Sequence, residues 1–220
     1  MIRFYVKLIL PIALIFLALT LTARALGTTQ PPNPALRGFT EGCEDKPQPC
    51  WYGIIAGKDT MLFEEASKLL EAEGFQANTN RGKVEQTDFT LEFANYFAPS
   101  STSGCNVHLE ARSQQNYFIR LTLFDCKGIS IADMLDLYGL PHNIQLRENE
   151  SGKLYFNRST ITAQFSANFS PLSYISNISF YPLDLTGGYP YCSWHGYLPY
   201  WLYYNLDPDS TLCSKNAWGR

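Results

Sequence analysis

Cys43, Cys50, Cys105, Cys126, Cys192 and Cys213 are the six cysteines of a 220-residue chain. Thiols can act as nucleophiles, metal ligands or disulfide partners. No C-x-x-C pair and no His pair at helical spacing accompanies them, so a zinc site is not expected. Their even number and their position after an apolar N-terminal run point to disulfides. Order along the chain favours neighbour pairs: Cys43–Cys50, Cys105–Cys126 and Cys192–Cys213. Cys192-Ser193-Trp194-His195 contains a Cys–His and a Ser–His juxtaposition. A nucleophilic thiolate must be unpaired, however, and Cys192 has Cys213 as a partner. Ser193 lacks a G-x-S-x-G setting. His108 falls on the polar side of a strand and His142 in a turn after Gly-Leu-Pro. Gly53 to Lys58 is no phosphate loop, because Asp59 follows Lys58 where Ser or Thr is required. No catalytic residue, metal ligand or cofactor is therefore expected, and the chain does not read as an enzyme.

The exported compartment is read from the N-terminus. Arg3 and Lys7 precede an apolar run from Leu8 to Leu21, and Ala23-Arg24-Ala25 has small residues where a signal peptidase reads. The expectation is a cleaved signal peptide with Leu26 as the mature N-terminus; an uncleaved signal anchor is the rival. No Cys directly follows the run, so no lipoprotein site is expected. Net charge is −3 and no basic run occurs beyond the first residues, which argues against nucleic acid.

The elements that must position these residues show in the apolar spacing. Leu26 to Gly42, rich in Thr, Pro and Gly, reads as a tether. Leu62, Ala66, Leu69 and Leu70 share a helical face, with Asp59 or Thr60 as the cap and Gly74-Phe75 as the stop. Phe89, Leu91 and Phe93 alternate with Thr90, Glu92 and Ala94. Val107, Leu109 and Ala111 then pair as a hairpin with Ile119, Leu121 and Leu123. That register leaves Cys105 opposite Asp125, whereas direct pairing of Cys105 with Cys126 would put Val107 against Phe124; a bulge near Asp125 would reconcile the two registers. Ser130-x-x-Asp133 opens a second helix lined by Ile131, Met134, Leu135 and Tyr138, which Gly139 and Pro141 end. Strands at Leu154–Phe156, Ile161–Ala167 and Tyr174–Tyr181 follow. The chain thus reads helix then three strands, twice.

The densest aromatic run is Tyr189 to Tyr204, where nine of sixteen residues are Tyr, Trp or His. It contributes the candidate binding surface: Tyr189, Tyr191, Trp194, His195, Tyr197, Tyr200, Trp201, Tyr203 and Tyr204. A flap that completes the core, a partner or glycan surface and an interfacial membrane contact all fit it.

Cys43 to Phe75, with its Cys50-Trp51-Tyr52-Gly53-Ile54-Ile55-Ala56-Gly57-Lys58-Asp59-Thr60 core, resembles uncharacterised bacterial envelope proteins. Those carry a PCW-x-GI-x-PGKTT segment after a signal or anchor; here Ala56 replaces their Pro. That family implies no activity. Gly128 to Pro141, GISIADMLDLYGLP, is similar to the helix unit of the BamE and SmpA outer-membrane assembly proteins. Tandem copies of such a unit resemble the beta-lactamase inhibitor protein. The implied fold is α+β: two helix-plus-antiparallel-sheet repeats, disulfide-bonded, with an aromatic C-terminal flap. Residues 1–25 would be the signal or anchor, 26–42 a linker, 43–127 and 128–186 the repeats, and 187–220 the flap. The expected function is a non-catalytic extracytoplasmic envelope scaffold or protein-binding module. A secreted inhibitor of an extracellular hydrolase is the alternative. The partner would be an envelope or extracellular protein, with membrane attachment through the N-terminal segment.

Overall fold

A computed structural model describes residues 9, 11–22, 33–78, 81–86, 89–99, 105–113, 117–146, 151–156, 160–166, 169–180, 192–194 and 196–197. The chain divides into two units, Met1–Asn33 and Pro34–Arg220. In the first, residues 11–22 form helix α1. Among the described residues no helix is long and apolar enough to cross a membrane.

The second unit is a mixed α+β structure around a mostly antiparallel sheet. It begins with a 3-10 turn, Pro34–Leu36, and helix α2, Arg37–Thr40. This corrects the tether reading for its second half. Phe39 is buried and makes edge contacts with Phe180 at 6.0 Å and Tyr138 at 6.3 Å. An apolar ring in a Pro- and Gly-rich stretch is enough to dock it.

Strands β1, Cys50–Trp51, and β2, Ile54–Ile55, form a small hairpin tied by Cys43–Cys50. Strand β3, Gly57–Lys58, leads to helix α3, Phe63–Ala72. Then come β4, Gln76–Ala77; β5, Gly82–Glu85; β6, Thr90–Phe97; β7, Asn106–Ser113; and β8, Tyr117–Phe124. Helix α4, Ile131–Tyr138, precedes β9, Asn143–Leu146; β10, Gly152–Phe156; β11, Ile161–Phe165; and β12, Ile175–Phe180. Strand β13, Cys192–Ser193, adds an edge. Among the described residues these make an eleven-stranded sheet ordered β13-β9-β10-β11-β12-β8-β7-β6-β4, with β3 on β8 and β5 on β6. Each half is thus a meander, and the two meet where β12 pairs antiparallel with β8.

The inner face follows the alternation expected for β7, β8 and β11. Val107, Leu109, Leu121, Leu123, Ile161 and Phe165 are fully buried, each strand hiding alternate side chains. Register pairs Val107 with Leu123 and Leu109 with Leu121. Cys105 still bonds to Cys126, because Asp125 turns through a left-handed φ of 52° directly after β8. That is the irregularity the two competing registers required. Two of the three neighbour pairings are therefore present; the third falls on Cys213, which lies outside the described residues. Both bridges suit an oxidising compartment.

Helices α3 and α4 bury their apolar stripes in the same core as these inner strands. Tyr138 packs on Phe156 at 6.1 Å, and the Tyr117 hydroxyl accepts the Phe63 amide at 2.7 Å. The second helix starts as expected: the Asp133 amide donates to Ser130 Oγ at 3.2 Å, and the Ser130 amide donates to the Asp133 carboxylate at 2.7 Å. The first does not. Its N-cap is Leu62, whose amide donates to the Glu65 carboxylate. Asp59 instead accepts the Tyr117 amide, and Thr60 donates to the Ile55 carbonyl. The buried stripe is Phe63, Ala66, Ser67 and Leu70, while Leu62 is exposed. The polar residues serve the strand-to-helix turn, so the helix begins later and its buried face rotates.

Strand β6 also departs from expectation. Ala94 and Tyr96 are buried, and Leu91 and Phe93 turn to the outer face. Apolar residues occupy both faces of this strand, so alternation alone assigns the wrong one.

Candidate binding surface

Because α2, α3 and α4 pack on the inner face, the chemistry available to a partner is set by the outer one. Ladder register places its residues in rows. Asn95, His108, Thr122, Ser179, Thr162 and Tyr155 cross β6-β7-β8-β12-β11-β10. Asn106, Phe124, Asn177, Gln164 and Lys153 form the adjacent row. On the other side lie Phe93, Glu110 and Arg120, then Leu91, Arg112, Phe118 and Lys58. From β6 to β11 these side chains are half-buried or exposed. Towards β9 and β10 the face closes: Tyr155 and Gln145 are buried, and the Tyr155 hydroxyl donates to Gln145 Oε1 at 3.1 Å.

A charged cluster marks the open part. His108 Nδ1 pairs with Asn95 Oδ1 at 2.7 Å, and His108 Nε2 stands 3.8 Å from Glu110 Oε2. Arg120 reaches the same carboxylate oxygen at 3.7 Å. The His108 ring, ahead of Arg120 and Arg112, holds Glu110 below the usual carboxylate range, against the opposing effect of its partial burial. Around the cluster, Phe93 lies tilted 6.5 Å from His108, and Arg112 sits 4.3 Å over the Phe89 ring. Gly82 makes room for Phe93, since a Cβ there would run into the ring.

The depressed Glu110 has a consequence for pH. Its ionised form is favoured more in the folded chain than in the unfolded one. Its stabilisation is therefore present above the ordinary carboxylate pKa and lost as pH falls through the lower folded value. A carboxyl titration followed by NMR should place Glu110 below the usual range in the native chain, and His108→Ala should move it back up. An unchanged Glu110 titration in that variant would remove His108 from this role.

The aromatic tail divides differently. Tyr189, Tyr191, His195, Tyr200, Trp201, Tyr203 and Tyr204 lie outside the described residues. Trp194 and Tyr197 are half-buried. They contact each other at 5.4 Å and Phe169 at 5.7 and 5.4 Å; Phe169 in turn stacks on the buried Phe165 at 5.4 Å. Burial also pushes the Tyr197 hydroxyl pKa up. Strand β13 places them there by pairing with β9. For these two residues the tail extends the core. His142 is exposed in the turn before β9, its amide donating to the Tyr155 carbonyl at 2.8 Å.

In the sequence His108, Glu110, Arg112 and Arg120 read only as the polar side of their strands, and Phe89 and Phe93 as the apolar side of theirs; nothing there gathers them into one cluster. The only signal was the shared alternation parity of His108, Glu110, Arg112 and Arg120. No family model, curated protein or solved structure matches the chain.

Proposed function

We propose that this chain is a non-catalytic protein-binding module or envelope scaffold, working outside the cytoplasm and binding through the outer face of its sheet. The observation that carries the reading is the unequal covering of the two faces. One is sealed by three helices and a disulfide-tied hairpin; the other presents Phe93, Phe118, Phe124, Arg112 and Arg120 half-buried or exposed among amides and hydroxyls. Aromatic and Arg side chains are the types enriched in protein interfaces. Attachment to the membrane through the N-terminal segment remains part of this proposal.

We also read the sheet as two copies of one helix-and-meander unit. Support comes from the strand just before each helix. Gly57 and Lys58 pair with Ile119 and Phe118 at the start of β8, and the Asp59 amide donates to the Tyr117 carbonyl. Ser130 bridges Tyr174 at the start of β12, and the Ile131 amide donates to the Ser173 carbonyl. The same pre-helix segment thus closes on the last strand of the same meander in both halves.

The test is photo-crosslinking in intact envelopes, with a benzoylphenylalanine at Ser179 on the open face or at the exposed Leu172 just before β12. A discrete protein adduct from position 179 and none from position 172 is expected. Adducts from position 172 alone, or from neither, would contradict the reading.

A further inference from the structure

One corner of the outer face is cationic although the chain as a whole carries a net charge of −3. Arg112 of β7 and Lys58 of β3 both stand opposite Phe118 of β8, which places them in one row. Strands lie about 4.8 Å apart, so Arg112 and Lys58 are separated by roughly 10 Å at the backbone. Arg120 occupies the next row, opposite Glu110. Both Lys58 and Arg112 are exposed. Among the described residues the corner thus holds three cations, Lys58, Arg112 and Arg120, and two carboxylates, Glu110 and Asp59. Asp59 accepts the Tyr117 amide at 3.2 Å. Apolar rings interleave the charges: Phe118 lies between Arg112 and Lys58, and Arg112 rests over Phe89.

We propose that this corner, Lys58, Arg112 and Arg120 around Phe118, receives an acidic protein segment in which carboxylates alternate with aromatic or aliphatic side chains. The inference rests on the reading of the outer face as the binding face and adds the chemistry of the partner. Charge complementarity supplies the sign, since carboxylates gain from a cationic patch and like charges are rejected. The rings between the cations supply the alternation. A uniform polyanion would leave the Phe118 ring uncovered, whereas an acidic segment with interspersed rings covers it. Planar Arg112 and Arg120 suit carboxylate recognition in particular, because the guanidinium fork matches two carboxylate oxygens.

The experiment measures binding of the full chain to a random copolymer of glutamate and tyrosine, beside polyglutamate and phosphatidylglycerol vesicles, across a salt series. The copolymer should bind more tightly than polyglutamate. The double variant Lys58→Glu/Arg112→Glu should weaken copolymer binding about tenfold or more, with the difference shrinking at high salt. The control Lys68→Glu/Lys127→Glu changes two exposed lysines elsewhere and should bind as the native chain does. An equal loss in the control, no preference for the copolymer, or vesicle binding abolished by the same double variant would overturn the proposal. If the partner captured through position 179 still binds Lys58→Glu/Arg112→Glu, the acidic-segment inference fails while the binding face stands.

Discussion

Leu70→Asp should leave no cooperatively folded protein at 25 °C. Leu70 is fully buried on α3, in one stripe with Phe63 and Ala66. Leu70 belongs to the apolar core, and an isolated buried charge costs many times what a surface substitution does. Even after the group neutralises by taking a proton, the lost apolar contacts and the unpaired polar atoms cost several kcal/mol. Domains of this size are stable by only about 5–15 kcal/mol. Leu69→Asp, one residue earlier, should be milder, because Leu69 is only half-buried. Thermal melts by circular dichroism check both. A cooperative melt for Leu70→Asp near that of the native chain would mean that α3 turns a different stripe inward.

The second large effect concerns the N-terminal knot. Trp51→Ala should cost about 3–5 kcal/mol, the range for emptying a large aromatic site. Trp51 is 1% exposed and meets Tyr52 at 4.6 Å and Phe75 at 5.4 Å, both edge-on. Gly38 of α2 closes over it so tightly that a Cβ there would run into the Trp51 and Tyr52 rings. Trp51 therefore joins three segments: α2 before it, its own disulfide-tied hairpin, and Phe75 just past the end of α3. Urea unfolding measures the loss. A change below about 1 kcal/mol would make the knot a surface appendage rather than part of the core.

These two positions also show what was legible in the sequence. The second helix was readable to the residue because Ser130, Asp133 and Gly139 act locally; a capping box and a left-handed stop need no tertiary partner. The first helix was misphased by one position. Asp59 and Thr60 have capping chemistry, but Tyr117, far along the chain, recruits Asp59 for the turn instead. That competition cannot be seen from neighbours in sequence. The apolar faces of β7 and β8 give the observed register, and the irregularity that the Cys105–Cys126 bridge needs is the positive φ of Asp125 just past β8. On β6 the sign of the alternation was wrong because Phe93 packs outward over Gly82, a contact made by a neighbouring strand. Two-residue strands β3 and β4 carry too little pattern to announce themselves. The outer-face cluster was invisible for a related reason. His108 and Glu110 alternate along one strand, but Asn95 and Arg120 join them only through cross-strand pairing.

The proposal that the outer face is a binding face, and not a second core, is tested most directly at Thr122. It lies on β8 next to the fully buried Leu121, pointing the other way, between His108 and Ser179. The measurement is a thermal melt of Thr122→Glu, combined with capture of the photo-crosslinked partner by the same variant. On an open sheet face the substitution should cost no more than about 1 kcal/mol, a shift of a few degrees, while capture is lost. A melt that collapses by more than ten degrees or so would show the outer face to be core, and a native-like melt with capture intact would show that the partner docks elsewhere.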